Sequence, residues 1–319
     1  MRVVLIGGVN SSAATLKKLI EYDMDIAMVY GYEPKTTQLV SGYHNFSALC
    51  ADNSINYIPF QKINDHTNEI ENLDFDVLFV VGLSQLVSEK IIDAAKAGAI
   101  GFHPTQLPKG RGRAPIAWLV DEVQDGAATF FILEEEADAG AIFEQECFEV
   151  VESDTAKSVE SKLLDAMATA LDRLLPKIKR GEWHPIPQNE ALATEYGIRK
   201  PDDGLISWSL PAHKIDRLIK AASEPHPGAF TFHEETKIKV LSSRIENSIK
   251  ITGVTGRVLK VRGQEVLVQS GSGLIWITPE QQYVAQLKVG QLLGYRIELE
   301  IFKLRQELQQ LKSCMGDKV

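Results

Sequence analysis

His103 and Asp138 are the two residues of this chain whose types best fit proton transfer. An imidazole titrates near neutral pH, so His103 can take a proton from an amine that attacks a carbonyl carbon. The carboxylate of Asp138 can orient the imidazole, raise its basicity, or receive its proton through water. For an isolated histidine before a proline, a structural position at the end of a strand is the commoner alternative. The segments around the two residues decide between these interpretations.

Residues 107–118 read LPKGRGRAPIAW, and residues 137–142 read ADAGAI. The two segments resemble the LLPKYRGRAPLNW-like signature and the DxG loop of the folate-dependent formyltransferases, a family that includes methionyl-tRNA formyltransferase and the sugar N-formyltransferases. Residues 200–208 and 221–230 are similar to segments in the formyltransferase domain of the enzyme that acts on UDP-4-amino-4-deoxy-L-arabinose. Residues 256–273 resemble the small OB-like C-terminal domain of that enzyme. The resemblance therefore covers most of residues 1–300.

The resemblance implies a role for each matching position. His103 would be the catalytic acid/base and Asp138 its partner, and 10-formyltetrahydrofolate would be the formyl donor. The residues expected to border the donor are Gln85, Leu86, Val87, Arg113, Glu134, Glu135, Glu136 and Ala137. Two alternatives stay open at this stage: Arg113 can instead anchor its loop by an ion pair, and the three glutamates can form a solvated edge whose backbone alone contacts a pterin.

Gly101 departs from the family pattern, which has an asparagine two residues before the histidine. That asparagine is thought to donate to the formyl oxygen as negative charge develops, and the loss of one such donor costs roughly 10²–10³ in rate. Protonated His103, a backbone N–H, Thr105 or Gln85 are the candidate replacements. The glycine also permits a catalytically impaired homologue that binds folate or a nucleotide sugar.

Hydrophobic periodicity predicts how these residues are positioned. Apolar runs that alternate with helical spacing, from Val3-Val4-Leu5-Ile6 onward, indicate an α/β fold with a Rossmann-like, mainly parallel sheet. A strand over residues 99–102 would deliver His103 at its C-terminal end, where ligands bind in such sheets. Short strands separated by glycine-containing turns follow from about residue 228. We predict a catalytic domain over 1–205, an OB-like β domain over 206–300, and a helical tail over 301–319.

Composition narrows the function further. The net charge of −9 comes mainly from the part before residue 206, and the later basic residues are interspersed with glutamate, which disfavours RNA binding. We predict a cytoplasmic protein without a membrane span, disulfide framework or metal site. The predicted reaction is transfer of the formyl group to the amine of a nucleotide-linked amino sugar in polysaccharide biosynthesis. Methionyl-tRNA formyltransferase and the impaired homologue are the alternatives. The C-terminal helix and the habit of the family that the chain resembles together make a homodimer reasonable.

Overall fold

A computed structural model describes residues 1–36 and 40–316 of the chain. The chain divides into two compact units, one formed by residues 1–201 and 221–227, the other by residues 202–220 and the chain from Gly228 onward. Compactness does not show that a part of the chain folds on its own. The three predicted domains, 1–205, 206–300 and 301–319, therefore stay a prediction.

The first unit contains a seven-stranded sheet in the order β3-β2-β1-β4-β5-β7-β8. Its strands are β1 (Arg2–Gly7), β2 (Asp25–Tyr32), β3 (Tyr57–Phe60), β4 (Val77–Val81), β5 (Gly98–Thr105), β7 (Gly126–Ile132) and β8 (Ile142–Phe148). The first five strands are parallel, and β5 pairs antiparallel with β7, as β7 does with β8. The predicted mainly parallel α/β fold is confirmed.

Helices cover both faces of this sheet. They are α1 (Asn10–Glu21), α2 (Ser47–Asp52), α3 (Thr67–Glu71), α4 (Glu89–Asp93), α5 (Pro115–Glu122) and α6 (Ala156–Lys179). Helix α6 begins at a Thr155 N-cap, whose hydroxyl accepts a hydrogen bond from the Ser158 N–H, and its apolar stripe, including Leu163, Met167 and Leu171, packs on one face of the sheet. The opposite face packs on Ile70 and Ile91. Because both faces of the sheet are buried, the sequences of the parallel strands are continuous apolar runs.

The predicted end of strand β5 was wrong. Strand β5 was expected to end before His103, but it continues to Thr105, with an irregularity in its pairing to β7 between His103 and Thr105. Pro104 explains the irregularity, since proline cannot donate a ladder hydrogen bond and is found in strands at edges and bulges.

The second unit contains a five-stranded antiparallel sheet in the order β10-β11-β14-β13-β12. Its elements are α7 (Ala212–Ala222, whose last two residues belong to the first unit), β10 (Ala229–His233), β11 (Thr236–Glu246), β12 (Val258–Arg262), β13 (Glu265–Gln269), β14 (Leu274–Pro279), α8 (Gln281–Val284) and α9 (Ile297–Gly316). The predicted C-terminal β domain and final helix are thus present, and the sheet of this domain is antiparallel. Helix α9 begins at Ile297, four residues before the predicted helical tail of 301–319.

Candidate active site

His103 points from β5 into a buried site. Residues 101 and 103 share one face of the strand, because side chains alternate along a strand. The His103 side chain is 7% exposed. Its Nε2 lies 2.8 Å from the carbonyl oxygen of Gly110, in the loop that follows β5. A carbonyl only accepts, so Nε2 carries a hydrogen and donates to it.

Proton exchange on His103 is therefore confined to Nδ1. This nitrogen lies 3.5 Å from the Asp138 Oδ2. Burial lowers the pKa of His103 below its usual value, although the Asp138 carboxylate and the Gly110 carbonyl oppose that shift. The neutral imidazole therefore has no proton on Nδ1, and this nitrogen faces the Asp138 carboxylate. A proton that binds to Nδ1 is stabilised by the adjacent negative charge.

Asp138 is held in place by its own backbone and by a second loop. It lies in the nine-residue connection between β7 and β8, and its φ of 59° is a left-handed conformation that aspartate tolerates better than most residues. Its Oδ2 also accepts a hydrogen bond of 2.9 Å from the Gly112 N–H. Residues 111–112 form the short strand β6 (Arg111–Gly112), which pairs in parallel with β9 (Glu195–Tyr196). A Cβ at Gly112, where φ is 101°, would lie 2.4 Å from the Tyr196 carbonyl oxygen, so this close pairing requires glycine.

Gln188 and Arg111 tie the two loops together, and sequence reasoning missed Gln188. The Gln188 Nε2 donates to the carbonyl oxygens of Asp138 and Gly140 at 2.8 and 2.7 Å, while its Oε1 accepts from the Arg111 Nη2 at 2.8 Å. Arg111 is buried and forms a bidentate pair with Glu190. Of the basic cluster Lys109, Arg111 and Arg113, Arg111 is thus a structural anchor. Nothing in the spacing of Gln188 marks it, because its partners lie about 50 residues or more away.

The space beside Gly101 is filled by apolar side chains. Gly101 pairs with Phe131 on β7, and a Cβ at this position would lie 2.9 Å from the Phe131 Cζ and 3.2 Å from the Leu133 Cδ1. Phe131 is buried. An asparagine here would meet an aromatic ring in the space its side chain needs.

We expect Gly101→Ala to lower the free energy of unfolding by about 1–3 kcal/mol, the usual cost of overpacking a tight core site. The control is Gly197→Ala, since a Cβ at Gly197 would have no neighbour within 4 Å. Urea unfolding of the two variants measures the loss of stability. Equal midpoints would show that the Phe131 ring moves aside without lowering the free energy of unfolding.

The two side chains suggested as replacement donors are already engaged. The Gln85 amide donates to the Gln61 carbonyl oxygen at 2.8 Å and accepts from the Ile63 N–H at 3.1 Å. The Thr105 hydroxyl lies 3.2 Å from the Gly110 carbonyl oxygen, to which it donates. The His103 Nδ1 and backbone N–H groups are left as candidates.

Apart from Arg113, the residues expected at the donor site lie in two segments beside Gly101. Val80 and Phe131 both pair with Gly101, one residue before β4 and β7 end. The segments beginning at 82 and 133 therefore leave the sheet on either side of this glycine. Leu86 is 86% exposed, Val87 packs against the core, and Glu134, Glu135, Glu136, Ala137 and Arg113 are exposed. None of these placements tests a role in binding.

Comparison with known protein families shows to which family the chain belongs. The family model described as formyl transferase matches residues 1–175, and the formyl transferase C-terminal domain matches residues 199–284. The chain belongs to the formyl transferase family. The prediction of a formyltransferase is confirmed at that level.

Solved structures of similar fold include other formyltransferases. WlaRD, a sugar 3N-formyl transferase determined with dTDP and 5-N-formyl-THF, has a TM-score of 0.64 and 16% identity, over 88% of this chain and 98% of WlaRD. An N-formyltransferase from Helicobacter canadensis, in complex with folinic acid and dTDP-3-aminofucose, has a TM-score of 0.63 and 15% identity, over 86% of this chain and 98% of that protein. At these identities the likeness shows the fold alone.

HypX from Aquifex aeolicus, in complex with tetrahydrofolic acid, is a further neighbour, with a TM-score of 0.64 and 17% identity. The match covers 87% of this formyl transferase chain but 43% of HypX. The chain thus spans less than half of HypX. Across residues 1–36 and 40–316, no helix is long and apolar enough to cross a membrane.

Gln188 offers a test of how the Asp138 loop is held in this formyl transferase. We expect Gln188→Ala to lower kcat more than it raises KM, because the Asp138 and Gly140 carbonyl oxygens lose a shared donor and the loop loosens. An unsatisfied buried polar group costs about 1–3 kcal/mol, so some loss of stability will accompany it.

Steady-state kinetics and the pH profile of Gln188→Ala check this role, with Asn189→Ala as the neighbouring control. The Asn189 side chain accepts from the Ala191 N–H within its own turn, so its loss leaves the Asp138 loop intact. If both variants lose only stability, with unchanged kcat and pH profile, Gln188 does not position Asp138.

Proposed function

We propose that this protein transfers a formyl group from 10-formyltetrahydrofolate to the amine of a nucleotide-linked amino sugar. The observation that carries the proposal is the buried His103, whose only free ring nitrogen faces Asp138. A base for an attacking amine must be neutral at working pH and held in one tautomer. Burial provides the first condition, and the bond to the Gly110 carbonyl provides the second.

In the proposed reaction, the Nδ1 of His103 takes up one proton and later returns it. The bound donor supplies the formyl carbon. As the amine nitrogen bonds to that carbon, Nδ1 takes the proton that the amine loses, and the adjacent Asp138 carboxylate stabilises the imidazolium. The bond from the formyl carbon to the folate nitrogen breaks, and Nδ1 returns the proton to that leaving nitrogen. The products are the formylated amine and tetrahydrofolate.

Gly101 makes this imidazolium more important. With the glycine unable to donate and Thr105 and Gln85 engaged elsewhere, the Nδ1–H formed during attack is the side-chain donor we assign to the developing oxyanion. A charged donor forms a stronger hydrogen bond than a neutral amide. His103 would thus combine proton transfer with charge stabilisation.

The residues around Gly101 suit a pterin held mainly by backbone groups. In the described parts of the chain, the N–H groups of residues 134–138 have no hydrogen-bond acceptor. The segment 85–87 leaves the sheet on the other side of Gly101. We propose that these two segments border the donor, with Arg113 close by, and that the glutamate side chains stay solvated.

The amino-sugar acceptor is supported by two neighbours, WlaRD and the Helicobacter canadensis enzyme, described with dTDP or a dTDP-linked amino sugar. Lys109 and Arg113 are exposed, and Lys109 lines an open cleft with Trp118 and Tyr196. Either basic side chain could meet a diphosphate. A role in polysaccharide biosynthesis and a cytoplasmic location stay predictions.

Mass spectrometry of UDP-, dTDP- and GDP-linked amino sugars incubated with the protein and 10-formyltetrahydrofolate tests the acceptor class. We expect one acceptor to gain one formyl group. Methionyl-tRNA is the competing acceptor in the same panel, and formylation of methionyl-tRNA with no sugar product would overturn the sugar assignment.

An impaired homologue that binds folate or nucleotide sugar without transfer is the second candidate, favoured by the Phe131 ring beside Gly101. Calorimetric titration with 5-formyltetrahydrofolate separates the two. Binding without transfer to any acceptor would support this candidate, and binding with transfer would exclude it.

A further inference from the structure

Helix α9 exposes an unusual amount of apolar surface. Within the described part of the chain, no element covers this 20-residue helix, and Ile297, Leu304 and Leu311 are 67%, 61% and 61% exposed. A helix of this length spans about 30 Å, and in proteins most of the stability of a helix comes from packing of its apolar face. Helix α9 therefore needs a partner surface.

Five of the apolar residues of α9 follow a coiled-coil spacing, whereas Leu299 and Phe302 lie outside it. Ile297, Ile301, Leu304, Leu308 and Leu311 are separated by four, three, four and three residues. This places Ile301 and Leu308 at a positions, and Ile297, Leu304 and Leu311 at d positions, of a heptad repeat. A seam with period 3.5 is typical of a helix that supercoils with another helix.

The charges beside the seam identify the partner. Glu300 and Glu307 occupy g positions, whereas Arg305 and Lys312 occupy the e positions of the heptads that follow. In a parallel pair of identical helices, each g glutamate meets the e cation of the other chain. An antiparallel pair would instead place g against g and e against e, so that glutamate opposes glutamate.

We propose that α9 forms a parallel, two-stranded coiled coil with α9 of a second copy of this chain. The partner must present leucine and isoleucine at the same heights and cations opposite Glu300 and Glu307, and an identical helix in parallel register does both. Ile301 at a and Leu304 at d form the combination that favours two strands, whereas Ile297 at d and Leu308 at a do not. This inference is independent of the reaction proposed above.

Sedimentation equilibrium tests the proposal with two double variants that add the same charge to the same helix. Leu304→Lys with Leu308→Lys places lysines in the seam, and Phe302→Lys with Gln309→Lys places them at b positions, outside it. We expect twice the 35.4 kDa chain mass for the wild type and the b-position variant, and the single-chain mass for the seam variant. Hydrogen exchange over residues 297–313 should quicken in the seam variant alone. Unchanged exchange over the rest of the chain in that variant would show that the rest is folded.

Charge reversal tests the orientation. Glu300→Lys with Glu307→Lys, and separately Arg305→Glu with Lys312→Glu, should each weaken self-association, and mixing the two proteins should restore a dimer. A wild type that stays a single chain at all accessible concentrations would overturn the proposal. So would a seam variant that remains a dimer, a mass of three or more chains, or charge variants that associate as well as the wild type.

Discussion

Replacement of His103 with alanine is expected to lower the rate of formyl transfer by about 10²–10⁴-fold, the usual contribution of a positioned acid/base. The variant loses the Nδ1 that takes the proton of the attacking amine and that then donates to the oxyanion. The surrounding loop should survive, because the Thr105 hydroxyl still donates to the Gly110 carbonyl oxygen once the imidazole is gone. Donor and acceptor binding should therefore change little.

Single-turnover kinetics with saturating substrates measure this loss directly, and calorimetric titration with 5-formyltetrahydrofolate confirms that the donor site is intact. His213→Ala is the control, since His213 is an exposed helical residue of the second unit. A His103→Ala variant that turns over like the wild type would show that another group moves the proton.

Asp138→Asn is expected to cost about 10²-fold or more in rate, because it should slow the same proton transfer. The amide oxygen can keep the hydrogen bond from the Gly112 N–H, since the Oδ2 that accepts it is also the oxygen that faces Nδ1 of His103. The variant then keeps the position of the loop but loses the negative charge beside Nδ1. The imidazolium that forms when Nδ1 takes the amine proton loses its stabilising partner, so the proton transfer becomes less favourable.

The pH profile of Asp138→Asn provides a second, independent readout. The neutral imidazole is the active form, so activity is lost as pH falls through the pKa of His103, which burial holds below its usual value. The Asp138 carboxylate opposes that lowering. Its removal should lower the pKa further and move the acid limb of the residual activity to lower pH. An acid limb that stays in place, or moves to higher pH, would show that Asp138 does not act on His103.

The sequence predicted the pair of residues but not how they are bonded. The segments around His103 and Asp138 indicated both residues and the family, since a motif records which side chains occur together. It does not record that the Nε2 of His103 is occupied by the Gly110 carbonyl, because that contact depends on how residues 106–112 fold back. The confinement of proton exchange to Nδ1 could be found only from the structure.

Gln188 and Phe131 show the same limit for residues distant in the chain. Gln188 meets the Asp138 and Gly140 carbonyl oxygens through the path of residues 185–196. The glycine at 101 was visible in the sequence, but the register that brings Phe131 against it was not. By contrast, helical periodicity indicated α9 directly, because its apolar residues carry their own spacing.

The most direct test of the account is the fate of an isotopically labelled formyl group. The protein is incubated with 10-formyltetrahydrofolate labelled in that group and with the amino-sugar nucleotide that the acceptor panel selects, with His103→Ala in parallel. We predict that the label appears covalently on the sugar nitrogen with the wild type, and that it stays on the folate with the variant. Label that remains on the folate with the wild type, under conditions where calorimetry shows both ligands bound, would contradict the proposed transfer.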